Sequence, residues 1–504
     1  MSRNIITCLC WIKKDNVKKV PDEFKDDSKM KQLEEEFKKN NKITTDESIK
    51  AITEKLEGKE DKHKEEEDDD MDMDELDEVG DVPTFSSDFK NHFLDSKNKG
   101  DEDYDEISEE DKEDYTIYPT DNLILCATAQ DDISNIEVYV YDESQQNLFV
   151  HHDILLSSYP LCMEWLSLQE ENGIGKANFA VIGSFLPEIE IWNLDSINAL
   201  EPELVLGDPN TKSQDGTYYK KSKKNTVNPK DTKYHTDAVL GLSLNPFEKK
   251  IVASGSADSK IIVWDILKTE PIINYCEHTD KVQAVKFNKC EDNVLLSAGY
   301  DHSIKIFDIR NQKSELKINV NHDVESIDFS PVNKYKFLVS YENGLVEEYD
   351  FNNLNKPLYS FKAHKKAATS ITYSHQLPDL FVTCSMDSYV KVWDSSLQAL
   401  QNSGEPALLA EKFLKKTTGE LFCCKFAEDL DYTIAVGGSK GELLIWQLEQ
   451  CKTFCDRYGL KWIDETKAGD ETNNLARKKL MSNRIKLRKG NTNNTSKGIT
   501  KKKK

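Results

Sequence analysis

Between His235 and Asp394 one pattern returns three times at fixed spacing, and few folds can satisfy it. His235 is followed by Asp258 after 23 residues and by Trp264 six residues later. His278 with Asp301 and Phe307, and His364 with Asp387 and Trp393, keep the same two intervals. Successive histidines at 235, 278, 322 and 364 stand 43, 44 and 42 residues apart. Ser254, Ser297 and Thr383 hold matching places within the three regular copies. Each copy alternates short apolar runs with turn residues. Such a unit cannot cover its own apolar faces and has to stack against further copies.

A period in the low forties that closes on Trp-Asp marks the blades of WD-repeat propellers. The expected fold is therefore all-β, a seven-bladed WD-repeat β-propeller. Within a blade, His235, Ser254, Asp258 and Trp264 can bond in series: indole to hydroxyl, hydroxyl to imidazole, imidazole to carboxylate. His278, Ser297 and Asp301 repeat the relay without an indole, because Phe307 replaces Trp. His364, Thr383, Asp387 and Trp393 repeat it whole. A His, a Ser and an Asp together also suggest a hydrolase, but an enzyme needs one such set and this chain has three. The reading is structural.

Charge is distributed unevenly along the chain. From Glu57 to Asp114 there are 27 acidic and 7 basic residues, while Arg477 to Lys504 holds 12 basic residues and no acid. Four regions are expected. Residues 1–15 hold an N-terminal strand (IITCLCWI) that completes a blade and helps close the ring. Residues 16–118 form an insertion, helical and then acidic, that is too poor in apolar residues to pack and is largely disordered. Residues 119–456 form the propeller, interrupted by a basic loop at 208–234. Residues 457–504 are an extension with a disordered basic tail. The fifth blade is degenerate, with Asn343-Gly344 and Tyr349-Asp350 at the turn and Trp-Asp places. Blade six is expected to run from His364 to about Leu409. The run VPTFSSDFKNHFL (82–94) reads as a docking motif. Ser108, followed by Glu109, Glu110 and Asp111, suits an acid-directed kinase.

In the basic loop, Tyr218 and Tyr219 stand beside Lys220, Lys221, Lys223 and Lys224, a set that can stack on unpaired bases and neutralise phosphates. Arg484, Lys486, Arg488, Lys489, Lys501 and Lys504 give the tail the same electrostatic capacity and suit nuclear targeting. Gly173-Ile174-Gly175-Lys176 lacks the third glycine and the helix context of a phosphate loop. The eleven cysteines show neither zinc spacing nor a disulfide framework, which implies a reducing compartment. No catalytic residue, metal, cofactor, small-molecule substrate or membrane partner is expected.

Several phrases go beyond generic repeats: TCLCWI at the N-terminus, PTDNLI (119–124), VHHDILLSSYPLCMEWL (150–166) and EIEIWNLDSINALEP (188–202), in that order before the basic loop and HTDAVL. With the acidic insertion, they make the chain similar to the periodic tryptophan protein 1 family. That resemblance implies a non-enzymatic nuclear and nucleolar factor in ribosome biogenesis, acting on large-subunit precursor rRNA. Pre-ribosomal particle proteins and rRNA would be its partners. Two alternatives stay open. The first is a histone-binding propeller acting in rRNA gene transcription through its acidic arm. The second is a ubiquitin-ligase substrate receptor, suggested by Phe307-Asp308-Ile309-Arg310, which is close to a Trp-Asp-x-Arg adaptor box.

Overall fold

Runs such as Ile133–Asp142 and Ser370–Tyr373 bury mainly alternate residues and have one side to cover. Runs such as Ile251–Ser256 and Ile261–Asp265 are buried on both sides. Strands of the second kind need sheets packed on both faces, and a ring of radially arranged sheets supplies them. The computed structural model forms that ring. It describes residues 4–14, 22–23, 116–118 and 121–462, apart from 131–132, 144–145, 170–175, 198, 209–231, 312 and 461.

Seven antiparallel sheets make the blades, and within each the strands run in order from the channel outward. Blade 1 is Asn4–Ile12, Asn122–Gln130, Ile133–Asp142 and Asn147–Leu156. Blade 2 is Pro160–Gln169, Lys176–Ser184, Ile189–Asn193 and Leu204–Leu206. Blades 3 and 4 run from Val239 to Tyr275 and from Val282 to Asn319. Blade 5 runs from Val324 to Lys362, and blade 6 from Ser370 to Phe413. Blade 7 has three strands among the described residues: Leu421–Phe426, Thr433–Gly438 and Leu444–Gln447. A short parallel pair, Asp22–Glu23 with Ser196–Ile197, lies outside these sheets.

The N-terminal strand pairs with Asn122–Gln130, Ile12 opposite Leu123 and Asn4 opposite Gln130. It therefore forms the inner edge of blade 1 although more than a hundred residues separate the two strands. Apolar clusters lie between blades rather than within them. Leu166, Val181 and Ile191 of blade 2 pack on Val239, Val252 and Trp264 of blade 3. Ile6, Leu9 and Ile124 of blade 1 meet Cys423, Leu430 and Ala435 of blade 7, which closes the ring.

Six of the seven inner strands carry a bulge close to their start, at Ile6/Cys8, Pro160/Cys162, Val239/Gly241, Val282/Ala284, Val324/Ser326 and Leu421/Cys423. The extra residue bends the strand and turns a side chain toward the rim. At Gly241 a β-carbon would stand 3.0 Å from the Gln283 carbonyl oxygen, so the bulge also lets adjacent backbones approach.

Blade 6 extends past the end expected near Leu409. A helix, α1 (Leu397–Ser403), is capped by Ser396 and ends on Gly404 with φ +75° before the outer strand Ala407–Phe413 begins. A second helix, α2 (Lys452–Tyr458), crosses residue 456, where the sequence places the end of the propeller. It buries Phe454, and its Arg457 donates Nε to Asp394 at 2.8 Å. That bond ties the helix to blade 6. Most of the insertion at 16–118, including the 82–94 motif and Ser108, lies outside the described residues. So do Tyr218 to Lys224 and the tail from Arg484 to Lys504.

Candidate functional site

The +23 spacing places each histidine in the loop entering a blade and each aspartate in the turn between its second and third strands. In blade 3, Trp264 Nε1 donates to Ser254 Oγ at 2.8 Å, and that oxygen lies 2.7 Å from His235 Nε2. His235 Nδ1 stands 3.2 Å from Asp258 Oδ2, which also accepts the Thr236 amide at 2.9 Å. In blade 4, His278 lies 2.8 Å from Ser297 and 2.9 Å from Asp301. Phe307 offers no donor there and packs on Tyr275 instead. Blade 6 repeats the full relay: Trp393 to Thr383 at 2.9 Å, Thr383 to His364 at 2.8 Å, and His364 to Asp387 at 3.2 Å.

Burial pushes the His278 and His364 imidazoles down, against the pull of Asp301 and Asp387. Burial opposes ionisation of Asp387, but His364 and the amides of Lys365 and Tyr389 overcome it and hold the carboxyl at about 2. The same balance lowers Asp258 and Asp301. The consistent proton arrangement is a neutral imidazole that donates from Nδ1 to carboxylate and accepts at Nε2 from the hydroxyl. Ser254, Ser297 and Thr383 have no exposed surface, so no substrate reaches these hydroxyls. Each relay fastens a turn to the core of its blade.

Blades 2 and 5 use another acceptor, one that the histidine spacing does not reveal. Trp192 Nε1 donates to Glu190 at 3.0 Å. In blade 5, Tyr341, Tyr349 and Ser360 all donate to Glu347, at 2.6, 2.8 and 2.8 Å. Both glutamates stand two residues before the terminal aromatic of the third strand. A Glu-x-Trp or Glu-x-Tyr ending is the sequence signal for this substitute. His322 keeps the repeat spacing but sits edge-on to the Tyr341 ring.

The inner strands surround a channel of about 750 Å³. Its wall is laced with ion pairs: Glu164 with Lys286 (2.5 Å) and Lys425 (3.5 Å), Lys289 with Asp328 (3.0 Å), and Lys13 with Glu428 (2.5 Å). Burial alone would raise Glu164, but Lys286 and Lys425 outweigh it and hold the carboxyl at about 2. At the bulge of blade 5 the balance is reversed. Burial, then Glu342 and Asp323, push Glu325 up to about 7. Next to it, His302 Nε2 lies 2.8 Å from Asp323. In the adaptor-like box, Arg310 folds back on Asp308. No disulfide joins any of the eleven cysteines, and burial raises Cys126, Cys162, Cys423 and Cys424. Among the described residues no group of three or more His, Cys, Asp or Glu could hold a metal, and no helix is long and apolar enough to cross a membrane.

The family model of the WD domain, G-beta repeat, matches residues 229–265, 269–308 and 355–394, which are the three blades that carry a His–Asp relay. These three segments are WD repeats by sequence as well as by fold. Over 67% of its length it is 40% identical to an uncharacterized WD repeat-containing protein of Schizosaccharomyces pombe, and the match covers 63% of that protein. It is 29% identical over 68% of its length to periodic tryptophan protein 1 of Saccharomyces cerevisiae, and 28% identical over 67% to the Drosophila melanogaster homolog, covering 66% and 69% of those chains. The chain thus spans about two thirds of the length of these relatives. A WD-repeat ring of this kind is a platform for protein–protein interaction.

Proposed function

We propose that the chain is a non-enzymatic nucleolar scaffold that assembles precursors of the large ribosomal subunit. The observation that carries this reading is the similarity, over two thirds of the chain, to two proteins named periodic tryptophan protein 1. The physical basis is a rigid ring whose two rims and outer wall present different loops to different partners. The basic loop around Tyr218 to Lys224 and the tail from Arg484 to Lys504 add RNA contacts that neutralise phosphates without reading sequence, so this part of the affinity falls steeply with salt. Phosphorylation of Ser108 would deepen the acidic charge around it.

The acidic run from Glu57 to Asp114 favours a second reading, a histone-binding propeller acting in rRNA gene transcription, because charge of this density attracts any basic protein. Gradient sedimentation of the tagged protein from cell extract, in low and moderate salt, separates the two. Co-migration with large-subunit precursor RNA that persists in moderate salt is the expected outcome. A light complex rich in histones and free of precursor RNA would replace the scaffold reading with the chromatin one.

A further inference from the structure

Among the described residues, six blades have four strands and the seventh has three. On either side of blade 7 the third strands, Tyr389–Asp394 and Ile133–Asp142, are each covered by a fourth, Ala407–Phe413 and Asn147–Leu156. Among the described residues nothing pairs with the outer edge of Leu444–Gln447. The result is a gap, an unpaired edge between two four-stranded blades, bounded on one side by α2, whose Phe454 shares a buried cluster with Leu409 and Trp446 and whose Thr453 donates to the Leu409 carbonyl. Exposed edges are normally guarded by lysine, proline or a bulge. Leu444, Ile445, Trp446 and Gln447 carry no charge and no proline, and their pairing with Thr433–Val436 runs without a bulge.

The walls of the gap differ. From blade 6, Lys412 holds its ammonium 5.8 Å from the centre of the Trp446 ring. From blade 1, Val150 lies opposite Tyr139 in register, so the two share a face. Tyr139 and Leu148 of blade 1 and Leu443 and Ile445 of blade 7 pack against one buried cluster in the seam between the two blades, so that face of blade 1 looks toward blade 7. Val150 remains 46% exposed. One end of the gap is stopped by Gln146, whose Nε2 donates to Gln447 at 3.3 Å.

We propose that this gap is a docking groove for one extended segment of a partner protein, in which apolar and acidic residues alternate, added as the fourth strand of blade 7. Side chains of a strand point to opposite faces in turn. One set of the incoming residues therefore meets Lys412 and the other meets Val150 and Leu148. Acid fits the first wall and apolar side chains fit the second. The new main-chain ladder supplies affinity and the alternation supplies selectivity. A second copy of the chain does not fit. Paired strands lie about 4.8 Å apart, and two edges each flanked by four-stranded blades cannot come that close. The chain's own continuation fits poorly as well. Trp462 Nε1 donates to the Gln450 carbonyl, so the residues that follow start near the end of the edge strand. Yet the run from 463 to 474, IDETKAGDETNN, contains a single apolar β-branched residue and is rich in poor strand formers. The first alternating run beyond it, Arg484 to Arg488, would bring cations against Lys412.

The test uses the full-length chain and three labelled seven-residue peptides: Val alternating with Glu, Val alternating with Lys, and the Glu peptide with a central proline. Fluorescence anisotropy should give binding of the Glu peptide at least tenfold tighter than of either control. K412E should reverse the preference between the Glu and Lys peptides. V150R, at a half-exposed position on the other wall, should weaken the Glu peptide at least tenfold with unchanged thermal unfolding, and it serves if K412E does not fold. Hydrogen exchange should show the outward amides of Leu444–Gln447 exchanging freely in the chain alone and slowing on addition of the Glu peptide. Equal binding of all three peptides, absence of binding, or indifference to both substitutions would overturn the proposal. Protection of those amides in the chain alone would overturn it too, assigning the edge to the chain's own segment if independent of concentration and to a second copy if concentration-dependent.

Discussion

A buried relay makes its members unequal, because removing a donor differs from removing an acceptor that several donors share. Trp393 gives one hydrogen bond to Thr383, and the hydroxyl keeps His364 as a partner. W393F, which copies what Phe307 does in blade 4, should cost about 1 kcal/mol. Asp387 accepts from His364 and from the amides of Lys365 and Tyr389, so D387A orphans three donors and should cost about 3 kcal/mol. Urea unfolding with unchanged slope would register the difference, and equal costs would contradict the relay account. The same groups set the acid response. His278 and His364 titrate below their ordinary 6.5 in the fold, and Asp387 at about 2 rather than 3.8. The unfolded chain therefore binds more protons than the folded one in acid. The relay contribution to stability should be full above about pH 6.5, fall as the pH drops through the histidine range, and fall again between 3.8 and 2. Glu325 works in the opposite sense. Its carboxyl is pushed from 4.5 up to about 7, so its contribution is full below 4.5 and lost as the pH rises through 7. E325Q should raise the melting temperature at pH 8, by roughly 1–3 °C, and leave it unchanged at pH 4, as thermal scans at the two values would show.

At the scale of single elements, legibility follows how rigid the local chemistry is. A relay needs its histidine in the entry loop, its hydroxyl on the second strand, its aspartate in the next turn and its aromatic on the third strand, so blades 3, 4 and 6 announce themselves by spacing alone. Blades 2 and 5 offer a carboxylate to the terminal aromatic where blades 3, 4 and 6 use a buried hydroxyl or an apolar contact, and a search for histidine and aspartate passes over Glu190 and Glu347. The channel ion pairs around Glu164 were not legible either, because Lys286 and Lys425 come from blades distant in sequence and meet only when the ring forms. The apolar runs ELFCCKFA, YTIAVG and ELLIWQL mark the three strands that blade 7 has among the described residues, but an apolar run does not show whether its edge is paired. Asn343-Gly344 in blade 5 was readable as a turn, and the structure gives it a measurable consequence. Gly344 has φ +83°, and a β-carbon there would stand 2.3 Å from the Lys366 carbonyl oxygen. Gly404, with φ +75°, has nothing within 4 Å. G404A should cost only the conformational penalty, about 1 kcal/mol. G344A adds a clash between backbones and should cost clearly more, with calorimetry of the two variants separating strain from sterics.

For the molecule as a whole, the ring depends on a strand that precedes the rest of its own blade by over a hundred residues. Asn4–Ile12 is bonded along one side to Asn122–Gln130 and pressed between blades 2 and 7, with Ile6, Leu9, Cys10 and Ile12 buried. Trp11 donates to the Lys425 carbonyl and the Lys14 amide donates to Asp429, so the strand also crosses to the last blade. Four buried apolar side chains at roughly 2 kcal/mol each amount to about 8 kcal/mol. That is the free energy of a micromolar complex before the ladder's hydrogen bonds are added. The strand should therefore stay in place without the covalent link. A chain carrying an engineered protease site after Gly100, once cut, should run as a single species on gel filtration at about 10 µM, with its N-terminal fragment released only in denaturant. Adding I6D and L9D to the cut chain removes the buried contacts while leaving the link already broken, and should free the fragment without denaturant. Release from the unsubstituted cut chain would mean that the excursion, not the inner strand, holds the ring closed.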